Sequence, residues 1–285
     1  MIALPFVKAH GARNDFLLTW RDRLPPGIAD LPSMARAICD RHSGAGADGW
    51  MLLSSISDAA APVHAALELW NSDGSPSEIS GNGTRCAAAV LIWEGRADPG
   101  FPPEGEAGKD IRIRTGAGVK TLKLLERHGL EFLFEMNMGA AHIEELHWDI
   151  DGRREATVLN VGNPQCAVFT PDFDFDFDWR VLGAELESHP RFPHRTNVSF
   201  VRVLDRHTVE ARFFERGAGA TMSSGTGATG AAAAAVARGL VEGPVRVLTP
   251  AGPLNFRWEG ADILLAGPAE IVARGEFYPG AVVRQ

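Results

Sequence analysis

Two stretches of the chain decide the fold: Ser80-Gly-Asn-Gly-Thr-Arg-Cys-Ala-Ala-Ala and Ser224-Gly-Thr-Gly-Ala-Thr-Gly-Ala-Ala-Ala. They lie half the chain apart and align without gaps, and each serine is followed at the same distance by a further glycine, Gly95 or Gly239. The aligned segments are identical at seven positions. Two copies of one domain explain this repeat most economically.

Each copy predicts a helix of about 12 residues that begins after a glycine-rich turn and ends at a C-cap glycine. The helix cores, Cys86 to Trp93 and Gly230 to Ala237, are apolar on all faces, which is typical of helices buried on every side. Segments with a period-two or β-branched pattern surround them and predict strands. These segments are 65–70, 119–125, 130–136, 197–203, 208–214, 245–248 and 263–266.

The predicted fold class is therefore α+β, with two pseudo-symmetric domains, each a strongly curved, mostly antiparallel sheet or barrel around a central helix. We expect the N-terminal domain to comprise residues 1–128 plus 275–285. The C-terminal domain is expected to comprise residues 129–274.

Further helices are expected at 32–41, where a proline opens the first turn, and at 179–187, before a pair of prolines. The Pro- and Gly-rich segment 98–108 is expected to be a surface loop. The run 173–178, in which Phe and Asp alternate, is consistent with a strand or with a solvated loop, and we expect it to have no ligand-binding function.

The composition excludes several classes of function. The 285 residues contain 28 Lys and Arg against 36 Asp and Glu, a formal net charge of -8, which is the wrong sign for holding nucleic acid through its phosphates. No apolar stretch approaches the roughly 20 residues of a membrane-spanning helix. Residues 1–16 carry charges where a secretory signal would be apolar, so we expect a cytoplasmic protein without membrane or nucleic-acid partners.

The three cysteines, Cys39, Cys86 and Cys166, are an odd number without CxxC spacing. This pattern argues against a disulfide framework and against a zinc site. We expect buried free thiols and no bound metal.

The two glycine-rich turns point to an anionic small molecule. A turn that opens a helix presents free backbone N–H groups and about half a positive charge, which suits a carboxylate. One such turn is weak evidence, but a pseudo-axis between two copies can bring both helix starts, and both serines, to one cleft. Chemistry on two faces of one carbon is stereo-inversion, in which one group removes the α-proton and another returns a proton from the opposite side. No cofactor is required, and the expected base is a thiol.

The whole chain resembles the diaminopimelate epimerase family, whose members are cofactor-independent epimerases with two pseudo-symmetric domains. Besides the two glycine-rich turns, the motifs that carry the resemblance are His10-Gly-Ala-Arg-Asn-Asp-Phe, Arg41-His-Ser-Gly-Ala-Gly-Ala-Asp-Gly, Asn71-Ser-Asp-Gly-Ser, Gly162-Asn-Pro, His189-Pro-Arg-Phe-Pro-His-Arg-Thr-Asn-Val, Glu215-Arg-Gly-Ala-Gly and Gly267-Pro-Ala-Glu.

The resemblance implies roles for residues at the matching positions. The reacting end of an amino-acid substrate would be held by Asn14 and by the amides of Gly81, Asn82, Gly225 and Thr226, and Glu215 would take its ammonium group. The distal amino-acid end would be held by Asn71, Asn163, Asn197 and Arg216, the last through a bidentate guanidinium.

The chain departs from the family at the two residues expected to transfer protons. The resemblance implies cysteines at these positions, where this chain has Ser80 and Ser224. A thiol needs about 2 kcal/mol to ionise at neutral pH, and a hydroxyl five pKa units weaker would need about 7 kcal/mol more, or about 10⁵ in rate. Gln165 replaces a family histidine and Ala220 a family glutamate. A laboratory double Cys-to-Ser change would not account for Gln165 or Ala220, so we favour natural divergence of the serines.

Four histidines are replacement bases only in principle, since structural hydrogen bonding explains them as well. They are His10, His42, His189 and His194.

Three hypotheses follow. The first is an isomerase that converts LL- to meso-diaminopimelate in lysine and cell-wall precursor synthesis, with proton transfer at Ser80 and Ser224 and with Glu215 in the site. The second is an amino-acid-binding relative that has lost proton transfer. The third is a racemase or dehydratase of a different amino acid. The resemblance also implies a homodimer, with the single tyrosine, Tyr278, either at the interface or in the core.

Overall fold

The computed structural model describes residues 3–28, 30–56, 63–97, 110–169, 175 and 177–279. The chain forms two compact units, Met1–Met136 with Pro268–Gln285 and Asn137–Gly267. The domain limits expected from the sequence, 1–128 plus 275–285 and 129–274, stay a prediction. The expected loop at 98–108 and half of the run 173–178 lie outside the described residues.

The first unit contains two helices, seven complete strands and the first part of an eighth. In chain order these are β1 (Leu4–Gly11), β2 (Asn14–Trp20), α1 (Leu31–Cys39), β3 (Gly49–Ser54), β4 (Ala65–Asn71), β5 (Pro76–Ser77), α2 (Gly81–Trp93), β6 (Ile111–Thr115), β7 (Gly118–His128) and β8 (Glu131–Ala140). A short 3-10 turn, Arg21–Arg23, follows β2.

The second unit repeats this series. Its elements are β9 (His142–Asp149), β10 (Glu155–Asn160), β11 (Pro164–Phe169), α3 (Trp179–Glu187), β12 (Asn197–Asp205), β13 (Thr208–Glu215), β14 (Gly219–Thr221), α4 (Gly225–Ala237), β15 (Val245–Thr249), β16 (Gly252–Glu259) and β17 (Asp262–Phe277). The last residues of β17 belong to the first unit, where they pair with β1.

Strand pairing follows the same order in both units. In the first unit, β1–β2, β3–β4 and β6–β7 are antiparallel, whereas β2–β3 and β4–β6 are parallel. In the second, β10–β11, β12–β13 and β15–β16 are antiparallel, and β11–β12 and β13–β15 are parallel. A helix crosses over between the strands of every parallel pair, as parallel pairing requires. The predicted α+β fold of two equivalent, mostly antiparallel copies is confirmed.

A central helix lies inside the strands of each unit. Helix α2 packs against β1, β2, β6 and β7, and α4 packs against strands from β9 to β16. The predicted C-cap glycines are confirmed, since Gly95 and Gly239 have φ of 67° and 68°, a region that favours glycine. Burial on every side is wrong for the last residues of both helices, where Trp93 is half-buried and Ala237 is exposed because the helices emerge from the strands there.

The outer helices α1 and α3 each cover one side of a unit. Asp30 caps α1 by accepting a hydrogen bond from the Ser33 amide at 3.0 Å, and Asp178 caps α3 by accepting one from the Arg180 amide. The predicted helix at 179–187 is confirmed. The helix predicted at 32–41 spans Leu31–Cys39 and ends earlier because Asp40 adopts an extended conformation.

The apolar core explains why the sequence pattern missed two of the strands, β3 and β11. Strand β3 is buried on both faces over its first five residues, and β11 is buried over its last five. A strand covered on both faces has no alternation of polar and apolar residues, so its pattern does not distinguish it from other buried segments. Within the described residues, no helix has the length and apolar character needed to cross a membrane.

The enclosure of α4 generates a prediction. Ala232 is fully buried against the surrounding strands, whereas Ala237 on the same helix is exposed. Ala232→Leu should lower the free energy of unfolding by about 1–3 kcal/mol, because the added methyl groups have no space. The matched control Ala237→Leu should stay within about 0.5 kcal/mol of the unsubstituted protein. Urea unfolding of both variants measures this, and equal stabilities would contradict the described enclosure of α4.

Candidate active site

The two duplicated serines have the same local geometry. Ser80 caps α2 with φ −129° and ψ 122°, and Ser224 caps α4 with φ −134° and ψ 123°. Each hydroxyl oxygen accepts a hydrogen bond from the amide of the third following residue, Gly83 at 3.1 Å and Gly227 at 3.0 Å. The helix N-terminus leaves further amides without a partner in the helix, and these suit a carboxylate.

Close packing requires glycine behind each serine. A side chain at Gly83 would begin 1.8 Å from the methyl group of Met51, and one at Gly227 would begin 2.8 Å from Phe213. The second glycine of each turn therefore lets the helix start lie directly against a buried strand residue. This packing fixes the position of both serines.

In the first unit, two of the expected binding residues are linked. Asn82 is fully buried, and its amide nitrogen donates to the Asn14 side-chain oxygen at 3.2 Å. Asn14 in turn donates to a carboxylate oxygen of Asp48 at 2.7 Å. Because a carboxylate only accepts, Asp48 sets the orientation of the Asn14 amide, and Asn14 sets that of Asn82.

Asp48 belongs to a charged cluster behind this link. Arg41 donates to Asp15 at 2.7 Å and to Asp48 at 2.8 Å, and Lys8 lies 3.0 Å from Asp15. Burial raises the pKa of Asp48. Burial also acts to raise the pKa of Asp15, but the hydrogen bonds from Arg41 and Lys8 outweigh it and lower that pKa. The two carboxylates thus share their cations unequally, with Asp15 the more strongly ionised.

Arg85 is a site-adjacent residue that sequence reasoning missed. It is fully buried and donates to the Asn82 side-chain oxygen at 2.6 Å, to the Pro268 carbonyl at 3.0 Å and to the Gly81 carbonyl at 3.3 Å. Burial lowers the pKa of Arg85 to about 10, so the guanidinium stays charged at neutral pH. Its signal in the sequence is the single charged residue inside a helix otherwise predicted to be apolar on all faces.

In the second unit, the capping serine is hydrogen-bonded to a carboxylate. The Ser224 hydroxyl donates to one oxygen of Glu215 at 2.6 Å, and Thr221 donates to the other at 2.7 Å. Glu215 ends β13, and the short β13–β14 hairpin brings Thr221 back alongside it. Ser224 is only 2 % exposed. Among the described residues, no carboxylate accepts a hydrogen bond from Ser80, so the two serines differ in their second hydrogen bond.

The remaining expected residues of the second unit form two pairs. Asn163 donates to the Thr226 hydroxyl at 3.4 Å, and Gln165 donates to the Asn163 side-chain oxygen at 2.7 Å. The Asn197 side-chain oxygen accepts from the backbone amide of Arg216 at 3.1 Å. The loop that precedes β12 supports Arg216, whose guanidinium donates to the His194 carbonyl at 3.4 Å.

Other candidates have partners other than the two serines. Asn71, at the end of β4, donates to Ser75 at 3.0 Å. His10 lies 3.2 Å from Glu270, and the His189 ring packs beside Trp148. No histidine within the described ranges is recorded as bonded to either serine hydroxyl. Gln165 is 1 % exposed and keeps one buried oxygen unpartnered.

The cysteines offer no thiol base at either helix start. Cys39, Cys86 and Cys166 are buried and free, as expected from their spacing. Burial raises the pKa of each thiol to about 12. In the part of the chain that the structure describes, no three His, Cys, Asp or Glu side chains are grouped to hold a metal ion.

Comparison with known sequences identifies one family. The family model for diaminopimelate epimerase matches residues 6–144 and 157–272. A diaminopimelate epimerase from Pelotomaculum thermopropionicum is 36% identical over 292 residues, covering 95% of this chain and 98% of that protein. One from Moorella thermoacetica is 34% identical, with 95% and 98% covered.

Comparison with solved structures shows a shared fold at low sequence identity. A hydroxyproline epimerase from Agrobacterium vitis superposes with a TM-score of 0.70 at 15% identity, covering 96% of this chain and 92% of that one. A phenazine biosynthesis protein of the PhzF family from Bacillus anthracis gives 0.70 at 13% identity, covering 97% and 99%.

The buried thiols generate a prediction. With a pKa of about 12, only about 10⁻⁴ of each thiol is ionised near pH 8. A disulfide reagent that reports thiolates should therefore find no rapidly reacting cysteine in the folded protein and all three after unfolding in guanidinium chloride. One fast-reacting thiol in the folded protein would contradict the described burial.

Proposed function

We infer, because the chain belongs to the diaminopimelate epimerase family, that it is a cofactor-independent isomerase that converts LL- to meso-diaminopimelate. The observation that carries this inference is the pair of equivalent helix starts, each with a capping serine and a neighbouring set of amide side chains. Relatives named diaminopimelate epimerase match this chain over nearly its whole length.

The substrate has an amino-acid group at each end, and we propose that the two ends bind different residues. The residues for the reacting end are Asn14, Glu215 and the amides of Gly81, Asn82, Gly225 and Thr226. Those for the distal end are Asn71, Asn163, Asn197 and Arg216. The link from Asp48 through Asn14 to Asn82 supports the first assignment, because it holds both amides in one orientation. The contacts of Asn163 with Thr226 and of Asn197 with Arg216 support a joint role in binding.

The chemistry begins with the loss of the α-proton, which places negative charge on the substrate carboxylate as an enediolate. Amide donors aimed at such a developing charge contribute about 3 to 4 kcal/mol each. The free amides that follow Ser80 and Ser224 are donors of this kind. Buried Arg85 adds a positive charge beneath the first turn of α2, within hydrogen-bond reach of Gly81 and Asn82.

Inversion at one carbon needs a proton carrier for each face. We propose that Ser80 and Ser224 are these carriers. A hydroxyl is a weaker acid than a thiol, so turnover should be slow compared with a thiol-dependent enzyme.

A specific observation favours a second candidate function. Neither helix start has a thiol, and every cysteine of the chain is buried with its pKa raised to about 12. An amino-acid-binding relative without turnover would retain the binding residues and lose the thiols in this way. A racemase or dehydratase of another amino acid is the third candidate, since the fold is shared with epimerases of other substrates and a fold alone does not determine the substrate.

Proton exchange separates these candidates. The protein incubated with LL-diaminopimelate in D₂O should replace the α-proton by deuterium faster than buffer does, because the enediolate regains its proton from solvent-exchanged hydroxyls. Proton NMR follows the loss of the α-signal. Calorimetry run in parallel reports binding.

Each outcome selects one candidate. Enzyme-dependent exchange supports the isomerase, and binding without exchange supports the non-catalytic relative. Neither binding nor exchange contradicts the proposed substrate, and a screen of other free amino acids then tests the third candidate.

The proposal includes a homodimer in the cytoplasm that serves lysine and cell-wall precursor synthesis. Tyr278 supports the dimer, because 52 % of this large side chain is exposed and its hydroxyl donates to Glu276 at 2.8 Å. Tyrosine with an apolar ring and a polar tip is favoured at interfaces. Sedimentation equilibrium should give twice the chain mass, and Tyr278→Ala should shift the protein towards the monomer. A monomeric unsubstituted protein would contradict the dimer.

A further inference from the structure

A cavity of about 530 Å³ lies in the second unit, at the C-terminal end of α4. Its walls come from the turn between β9 and β10, the end of β11, the middle of β12 and the residues that follow α4. Ser224 caps the opposite end of this helix of 13 residues, so about 20 Å along the helix axis separate the cavity from the serine. Sites for small molecules have volumes of about 300–1,000 Å³, and this one is distinct from the start of α4.

The walls of this cavity carry an excess of positive charge. Four of the residues that line it are arginines and two are acidic. In a chain with a formal net charge of -8, this is a local reversal of sign. A concave site lined mainly by one sign of charge attracts ligands of the opposite sign, so the cavity favours an anion. The charged residues are Arg153, Arg154, Arg202 and Arg238, with Asp149 and Glu155.

Arg238 is a buried charge of this cavity with an unsatisfied donor. Only 9 % of its side chain is exposed, and its guanidinium lies over the Phe169 ring, 4.8 Å from the centroid. It donates to an oxygen of Glu155 that also lies 3.2 Å from the Nδ1 atom of His147. The Nη1 atom of Arg238 is buried and has no hydrogen-bond partner in the described part of the chain. A buried guanidinium that lacks an acceptor costs free energy, which an anion in the cavity would offset.

Arg202, on β12, is a second arginine of the cavity with an unsatisfied nitrogen. It donates to Glu210 at 2.5 Å, and Arg212 lies 2.6 Å from the other oxygen of the same carboxylate. One carboxylate therefore serves two guanidinium groups, and the buried Nε atom of Arg202 has no partner. Among the described residues, no arginine besides Arg202 and Arg238 has a buried nitrogen in this condition. Both line one cavity, which favours an anionic ligand that they share.

The rest of the cavity wall is apolar. Phe169 and Val201 are buried, whereas Val203 and Leu240 remain 37 % and 42 % exposed. A water molecule takes up about 30 Å³ of the liquid, so the cavity is larger than a bare inorganic anion requires. Because apolar side chains gain free energy when they are removed from water, we expect a ligand with an apolar part to bind more tightly than an anionic group alone.

We propose that this cavity binds a small organic anion. Its carboxylate or phosphate group contacts Arg202 and Arg238, and its apolar part lies against Phe169, Val201 and Leu240. Both anionic groups present oxygen atoms that match the planar guanidinium, so the test uses one probe of each kind. The proposal goes beyond the proposed function, since it concerns the opposite end of α4 and a second ligand.

Calorimetry with three probes tests the class of ligand. Phenyl phosphate and benzoate each join a ring to an anionic group, and inorganic phosphate has the group alone. At least one organic probe should bind at one site per chain with a Kd about tenfold below that of inorganic phosphate, because the ring buries apolar surface. The organic probe that binds more tightly identifies the preferred anionic group. Equal affinities for the organic and inorganic probes would overturn the proposed ligand class.

Charge-removing variants locate the site. Arg202→Gln and Arg238→Gln should each raise the Kd of the organic probe by at least about tenfold, since each removes a charge-assisted hydrogen bond. The matched control is Arg246→Gln, on β15 of the same unit, where the arginine is exposed and does not line the cavity. It changes the net charge equally, and at about 0.15 M salt, where distant exposed charges are screened, it should leave the Kd within about twofold.

A further variant tests the cavity without removing a charge. Leu240 lines the cavity and is 42 % exposed, so Leu240→Trp should fold like the unsubstituted protein, which urea unfolding checks. The larger indole fills the apolar part of the cavity. It should raise the Kd of the organic probe by about tenfold and change that of inorganic phosphate much less. This variant keeps the proposal testable if Arg238→Gln, which alters a buried side chain, does not fold.

The outcomes separate this proposal from the proposed function. Losses of affinity in Arg202→Gln, Arg238→Gln and Leu240→Trp, without a loss in Arg246→Gln, would support the cavity as the site. No binding of either organic probe by the unsubstituted protein would overturn the proposal, and so would equal losses in the control and the cavity variants. A protein that binds the organic probe in this way and fails to exchange the α-proton of diaminopimelate would contradict the isomerase alone.

Discussion

Each unit depends on one constraint, which is that a helix begins inside the protein, where water cannot satisfy its first amides. Four N–H groups at a helix start lack partners within the helix. At both α2 and α4 a serine satisfies one of them, while glycine lets the turn lie against a buried strand. The amides that remain favour an anion, so the need to cap a buried helix and the capacity to bind a carboxylate have the same origin.

The polar side chains around each start are what such a buried terminus requires. In the first unit, a series of hydrogen bonds connects Arg41, Asp48, Asn14 and Asn82. Arg85 donates to the side-chain oxygen of Asn82. Asp48 only accepts and Arg85 only donates, so the orientation of the two amides between them follows from groups that cannot reverse their role. A buried guanidinium without a carboxylate beside it costs solvation energy. Its three acceptors and the positive charge it offers to an anion account for its place beneath the helix start.

The fold could be predicted from the sequence because its signals are local. The repeat, the C-cap glycines and the apolar helix cores are each visible within about 16 residues, and both helix ends have the expected geometry. Strands β3 and β11 were missed since burial on both faces removes the alternation that marks a strand. The links of Arg85 to Pro268 and of Asn14 to Asp48 join residues far apart in sequence. Such contacts arise from the strand pairing and have no local pattern.

The bond between Ser224 and Glu215 makes the two capping serines chemically unequal. A thiol can ionise by itself near neutral pH and needs no partner, so two thiols make two equivalent carriers. A hydroxyl transfers a proton only if another group takes its own, and equivalence then depends on what lies beside each hydroxyl. In this chain Glu215, at the end of β13, supplies a carboxylate at Ser224, and its counterpart in the repeat, at the end of β4, is Asn71, which donates to Ser75 at 3.0 Å. Two serines that cap their helices in the same way therefore differ in their acid–base surroundings.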